Sequence, residues 1–88
     1  MIEKTVTVTN ALGIHARPAS MIVQAAGKYR SDVSLEKDGT RADAKSIMNV
    51  MMLAASRGST VTIRADGADE DEAVNAIVRL FEEKFNED

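Results

Sequence analysis

The chain has no cysteine, which excludes disulfides and thiolate metal sites and leaves stability to packing. A single histidine is too little to build a structural zinc site without cysteine, so no metal is expected. Aromatic residues make up only 3%, which removes the stacking platforms of a single-strand nucleic-acid binder. The net charge of -3 is also the wrong sign for neutralising phosphates along a duplex. No stretch approaches the roughly 20 apolar residues of a membrane span. Met1 to Thr5 shows no basic segment followed by an apolar run of the kind that marks a secretory leader. These absences lead us to expect a cytoplasmic protein that needs no cofactor, touches no nucleic acid and does not insert into a membrane.

What is present suits one ordered domain spanning residues 1–88. Hydrophobic residues make up 44% and charged residues 28%, with one proline and no low-complexity tract. An 88-residue chain has no room for a second core. Disorder is expected only at the last few residues.

Residues alternate from Ile2 to Thr9, with Ile2, Val6 and Val8 on one side and Thr5, Thr7 and Thr9 on the other, the pattern of a half-buried strand. From Ala16 to Lys28, Ala19, Ile22, Val23 and Ala26 fall at helical spacing, and Gly27 is placed to end that helix. Val33 and Leu35 mark a second strand, which Asp38-Gly39 turns back through Thr40 to Asp43. Ser46 then opens a short helix to about Ala55, which Gly58 stops. Thr60 to Ala65 alternates again, with Val61 and Ile63 inward. The last helix begins at Asp69, with Glu72 three residues on as a capping box. Ala73, Ile77, Leu80 and Phe81 form its apolar face, and Arg79 and Lys84 suit its C-terminal half. The order strand, helix, strand, strand, helix, strand, helix predicts an α+β fold, with the helices on one face of an antiparallel sheet and the threonines on the open face.

Chemistry concentrates at Gly13-Ile14-His15-Ala16-Arg17-Pro18-Ala19, where the histidine and an arginine meet at a helix start. The first amides of a helix lack partners and carry partial positive charge, which favours a phosphate beside them. Pro18 forfeits an amide that had no intrahelical use, and the planar fork of Arg17 matches phosphate oxygens. Histidine keeps a neutral, nucleophilic ring nitrogen at physiological pH. Transfer of a phosphoryl group asks little of a protein beyond positioning and charge stabilisation. A lone histidine before a helix also reads as a simple cap. Caps are more usually Ser, Thr, Asp or Asn, however, and a cation beside the positive end of a helix costs stability unless an anion visits.

The second feature is Ala44-Lys45-Ser46-Ile47-Met48-Asn49-Val50-Met51-Met52-Leu53. Ser46 reads as an N-cap. Helical rotation puts Val50, Leu53 and Ala54 on one side and Ile47, Met48, Met51 and Met52 largely on another, a wider apolar arc than one core needs. Those methionines either fill core gaps or form an exposed docking patch. A docking surface is expected to take in Ala16, Ser20, Gln24, Ile47, Met48 and Met51, with Arg17, Lys28 and Lys45 suited to an acidic rim on a partner. Phosphorylation of Ser46 would stabilise its helix while charging that patch. The acidic run from Asp66 to Glu72 lacks the spacing of a calcium loop and reads as a turn plus cap.

At His15-Ala16-Arg17-Pro18-Ala19 and again at Lys45-Ser46-Ile47-Met48, the sequence resembles HPr, the histidine-containing phosphocarrier family of the bacterial sugar phosphotransferase system. The likeness spans the whole chain and includes Gly13, Gly39, Gly58 and Asp66-Gly67-Ala68-Asp69-Glu70. It implies an open-faced sandwich with a four-stranded antiparallel sheet. It also implies a phosphoryl group received at His15 from enzyme I, which draws on phosphoenolpyruvate, and passed to enzyme IIA components of sugar permeases. By the same resemblance Arg17 assists transfer, and Ser46 is the target of an HPr kinase/phosphorylase where the host has one. In some bacteria the serine-phosphorylated form binds a catabolite-control repressor. A nitrogen-related branch of the family serves other partners. The competing reading is a regulatory module acting through Ser46, with His15 as a cap. A domain of this size is expected to work as a monomer and as a stoichiometric carrier, not an enzyme.

Overall fold

The computed structural model describes residues 1–87. Strand β1 (Ile2–Thr7) is followed by helix α1 (Ala16–Ala26), strands β2 (Asp32–Lys37) and β3 (Thr40–Asp43), helix α2 (Ile47–Met52), strand β4 (Thr60–Asp66) and helix α3 (Glu70–Glu82). The strands form one antiparallel sheet in the order β1-β4-β2-β3. Because β4 lies between β1 and β2, the chain must leave the sheet through α1 before β2 can form, which is a split βαβ unit.

The strands pair as their alternation requires. Val6 faces Val61 across β1 and β4, and Leu35 faces Ile63 across β2 and β4. Val33, Leu35, Val61, Ile63 and Ala65 are buried against Ile22 of α1 and Val74 and Ile77 of α3. On the open face Thr5 and Thr62 share a hydroxyl hydrogen bond of 3.3 Å, and Arg64 bridges Glu3 and Glu36 across three strands. The β2–β3 hairpin turns through Asp38 (φ 51°) and Gly39 (φ 81°). Positive φ at both central residues matches the strand twist and is why the Asp-Gly pair sits there.

Several local expectations are corrected. Helix α1 does end at Ala26 with Gly27 as its C-cap, but Gly27 keeps a right-handed φ of -65° in place of a left-handed stop. Helix α2 ends at Met52, three residues early, because Ala54 turns left-handed (φ 50°). The Lys37 ammonium donates to the carbonyls of Leu53 and Ala54 at 3.3 and 3.4 Å, satisfying two groups the helix leaves open. Ala54 is therefore exposed and Ala55 buried, since helical rotation no longer applies there. The capping box at α3 does not form. Asp69 makes no side-chain cap and instead accepts from the amides of Arg30 and Ser31 and the Ser31 hydroxyl. Glu70, rather than Glu72, reaches back to the Gly67 amide at 3.1 Å.

The largest correction is at the end of the chain. Lys84 lies beyond α3, in a single tight turn over Lys84–Asn86 whose three residues have φ of 54°, 55° and 59°. Left-handed backbone costs on the order of 1 kcal/mol for each such residue. Phe85 offsets that cost by complete burial, edge-on to Phe81 with ring centres 4.9 Å apart. Residues expected to be disordered, up to Glu87, are therefore fixed, whereas Asp88 lies outside the described residues.

Candidate functional site

The loop between β1 and α1 is held at three points. Gly13 has φ 67°, and a Cβ there would lie 2.5 Å from the Ala55 carbonyl oxygen and 2.8 Å from Ser56 Cα, so only glycine fits. The Ile14 amide donates to the Ala55 carbonyl at 2.8 Å. Asn10, 1% exposed, donates its side-chain amide to the Gly13 carbonyl at 2.7 Å. This frame fixes His15 as the residue before α1, in extended conformation and with no side-chain cap bond.

The free imidazole is therefore available to something else. Its Nε2 lies 2.9 Å from Glu87 Oε1, while among the described residues Nδ1 has no partner. The same Glu87 oxygen accepts from Asn10 at 2.9 Å, and the other carboxylate oxygen accepts from Arg17 Nη1 at 3.2 Å. Arg17 Nη1 also donates to the Phe85 carbonyl at 2.9 Å. Three donors from the β1–α1 loop and the first turn of α1 thus converge on one carboxylate delivered by the terminal turn. The hydrogen bond from His15, with that from Asn10 and the weaker help of Arg17, holds the Glu87 carboxyl below its ordinary value. Carboxylate on Nε2 implies that this nitrogen carries the ring proton when the imidazole is neutral, leaving the Nδ1 lone pair free.

The helix start adds charge complementarity for an incoming anion. Among the described residues the backbone amides of Ala16 and Arg17 have no acceptor, and Pro18 has no amide to satisfy. The Arg17 side chain is 53% exposed, with its Nε and Nη2 groups uncommitted among the described residues. An anion at this helix start would meet two open amides and the uncommitted Nε and Nη2 groups of Arg17.

The second sequence feature lies close by, because α1 packs on α2. Ile47, Met48, Met51 and Met52 are exposed, at 41%, 71%, 44% and 75%, while Val50 and Leu53 are buried. The methionines therefore belong to the surface and not to the core. Ala16 and Gln24 are exposed and Ser20 is half-buried, with the Gln24 amide donating to the Ser20 hydroxyl at 3.4 Å. Ser46 caps α2 by accepting from the Asn49 amide at 3.3 Å, and the Asn49 side chain adds a second donor at 3.0 Å. Lys45 is tied to the Tyr29 carbonyl at 3.0 Å.

Sequence reasoning missed Asn10, Phe85 and Glu87. Phe85 had a signal, since it follows Phe81 by four residues and continues the apolar stripe. Glu87 had none. Among the described residues no group of three His, Cys, Asp or Glu is placed to hold a metal ion, and no helix is long and apolar enough to cross a membrane.

Comparison with known proteins gives the family. Residues 2–83 match the family model described as "PTS HPr component phosphorylation site". The phosphocarrier protein HPr of Treponema pallidum (strain Nichols) is 50% identical over 88 residues, covering all of both chains. HPr of Xylella fastidiosa (strain Temecula1 / ATCC 700964) is 49% identical over 88 residues, covering 100% of this chain and 99% of that one. Among solved structures, HPr-C-His from Thermoanaerobacter tengcongensis superposes with a TM-score of 0.96 at 46% identity, covering 100% of this chain and 99% of the other. With a lone histidine at an open helix start, an open-faced sandwich around it and relatives matched end to end, the chain belongs to the HPr family of phosphocarrier proteins.

Proposed function

We propose that His15 accepts a phosphoryl group from enzyme I, charged by phosphoenolpyruvate, and passes it to enzyme IIA components of sugar permeases. The observation that carries this reading is a histidine with an unpartnered Nδ1 as the residue before a helix whose first two amides are open, with Arg17 bonded to the same carboxylate. In the transfer, the Nδ1 lone pair forms a bond to phosphorus while the bond from phosphorus to the donor breaks and its electron pair leaves with the donor. The ring keeps its Nε2 proton and carries a positive charge until the next acceptor takes the group. Arg17 and the helix amides stabilise the phosphoryl oxygens as charge builds on them. The protein is a stoichiometric carrier and works as a monomer in the cytoplasm.

Docking uses the surface of Ala16, Ser20, Gln24, Ile47, Met48 and Met51, where exposed and deformable methionines suit several partners. Ser46 is the regulatory position, modified by an HPr kinase/phosphorylase and read by a catabolite-control repressor. The observation that favours it is a serine hydroxyl at the rim of that apolar patch. A phosphate there adds about two negative charges to a surface that otherwise docks through apolar contact.

The test is intact-mass spectrometry at neutral or alkaline pH after incubation with enzyme I and phosphoenolpyruvate. One acid-labile phosphate is expected on the wild-type chain and none on His15→Ala. Undiminished transfer to His15→Ala overturns the proposal. No transfer to wild type, with enzyme I active on a control carrier, leaves the Ser46 regulatory module as the better reading.

A further inference from the structure

Glu87 lies outside the motif that surrounds His15, yet it is the group most directly bonded to the histidine. Its carboxylate meets Nε2 at 2.9 Å and is itself fixed by Asn10 and Arg17. Both acceptors of Asn10 are oxygens, the Gly13 carbonyl and Glu87, so its amide nitrogen must point at them. The terminal turn that delivers Glu87 is backbone-strained and held by the burial of Phe85 and by the Arg17 bond to the Phe85 carbonyl. A strained segment anchored two residues before a titratable contact is a built feature of the site.

We propose that Glu87 is the positioning carboxylate of the phosphoryl acceptor: it holds the Nε2 proton of His15, presents Nδ1 to the donor, and balances the positive charge the ring gains when Nδ1 bonds to phosphorus. This rests on the carrier reading above. Neutral imidazole with its proton on Nε2 becomes a cation on forming the nitrogen–phosphorus bond, with no proton lost. The carboxylate on the far nitrogen stabilises that cation more than the uncharged ring, so it favours the phosphorylated protein as well as the route to it. Asn10 keeps Glu87 in place when Arg17 turns its fork towards the phosphoryl oxygens.

Two variants separate orientation from charge. Glu87→Gln keeps an acceptor oxygen but no charge, and Glu87→Ala keeps neither. The Nε2 proton of His15 is read by NMR, and the equilibrium for phosphoryl exchange with enzyme I by intact mass. The proton signal is expected to persist in Glu87→Gln and to vanish in Glu87→Ala. The exchange equilibrium is expected to move about tenfold towards enzyme I in both variants, the difference between a charged and a neutral hydrogen bond. An unchanged proton signal in Glu87→Ala, or an equilibrium within twofold of wild type in Glu87→Gln, overturns the proposal. If wild type takes no phosphoryl group, the carrier reading fails, and the NMR signal alone decides whether Glu87 holds His15.

Discussion

The starts of α1 and α2 solve the same problem in opposite ways. At α2 the cap is local, with Ser46 accepting from Asn49 three residues on. At α1 the cap residue is His15, its side chain caps nothing, and the polar needs of the region are met by Glu87, 72 residues away in sequence. A local cap commits the side chain of the cap residue to one amide, although the amides of Ile47 and Met48 keep no acceptor among the described residues. An end whose cap residue makes no cap bond leaves that side chain free for another use. The start of α3 is a third case, in which the Asp69 carboxylate is spent on holding the Arg30–Ser31 turn.

If α1 depends on the chain end and α2 does not, the largest effect should come from detaching that end. Phe85→Ala is expected to cost about 4 kcal/mol of stability in urea unfolding. It should also slow phosphoryl acceptance even where the protein remains folded. Normal transfer by folded Phe85→Ala would break the comparison. Next, Arg17→Ala is expected to lower the rate of phosphoryl acceptance by about 10²-fold, as for loss of one charge-stabilising donor, with Arg17→Lys in between. Quenched-flow mass analysis measures both. Ser46→Ala should do the reverse, losing about 1 kcal/mol of stability as a lost cap while leaving the transfer rate unchanged.

The effect narrowest in scope is the acid limb at α3. The Ser31 hydroxyl, then the Arg30 amide, hold the Asp69 carboxyl at about 2 against an ordinary 3.8. A depressed carboxyl contributes stability that is complete above 3.8 and is lost as pH falls through about 2. Asp69→Asn is expected to flatten the stability curve in that window, as read by thermal unfolding across pH. A slope identical to wild type would place acid sensitivity elsewhere, with Glu87 at α1 the next group to try.

Period and turn chemistry made most of the fold legible. Alternation at Thr60–Ala65 and the Asp38-Gly39 pair gave β4 and the hairpin, because those signals act over a few residues. The histidine and arginine were legible for the same reason, since the motif is contiguous. What was hidden acts at long range. Nothing near Glu87 announces that it will reach His15, and nothing near Asp69 says that Ser31 will claim it before Glu72 can form a capping box. The early stop of α2 was equally hidden, because Ala54 is an ordinary helix former forced left-handed where Lys37 collects the last carbonyls.

The contact of Gly13 and Ile14 with Ala55 and Ser56 couples two surfaces that sequence keeps apart. Because the loop carrying His15 rests on the backbone just past α2, a partner that tilted α2 on docking would displace the imidazole with it. On the carrier reading proposed above, partner choice would then be altered through the exposed side chains of α2 and not through movement of the helix. The geometry at His15 and the exposed face of α2 are held in one fixed relation by that contact, and one glycine with no room for a methyl group maintains it.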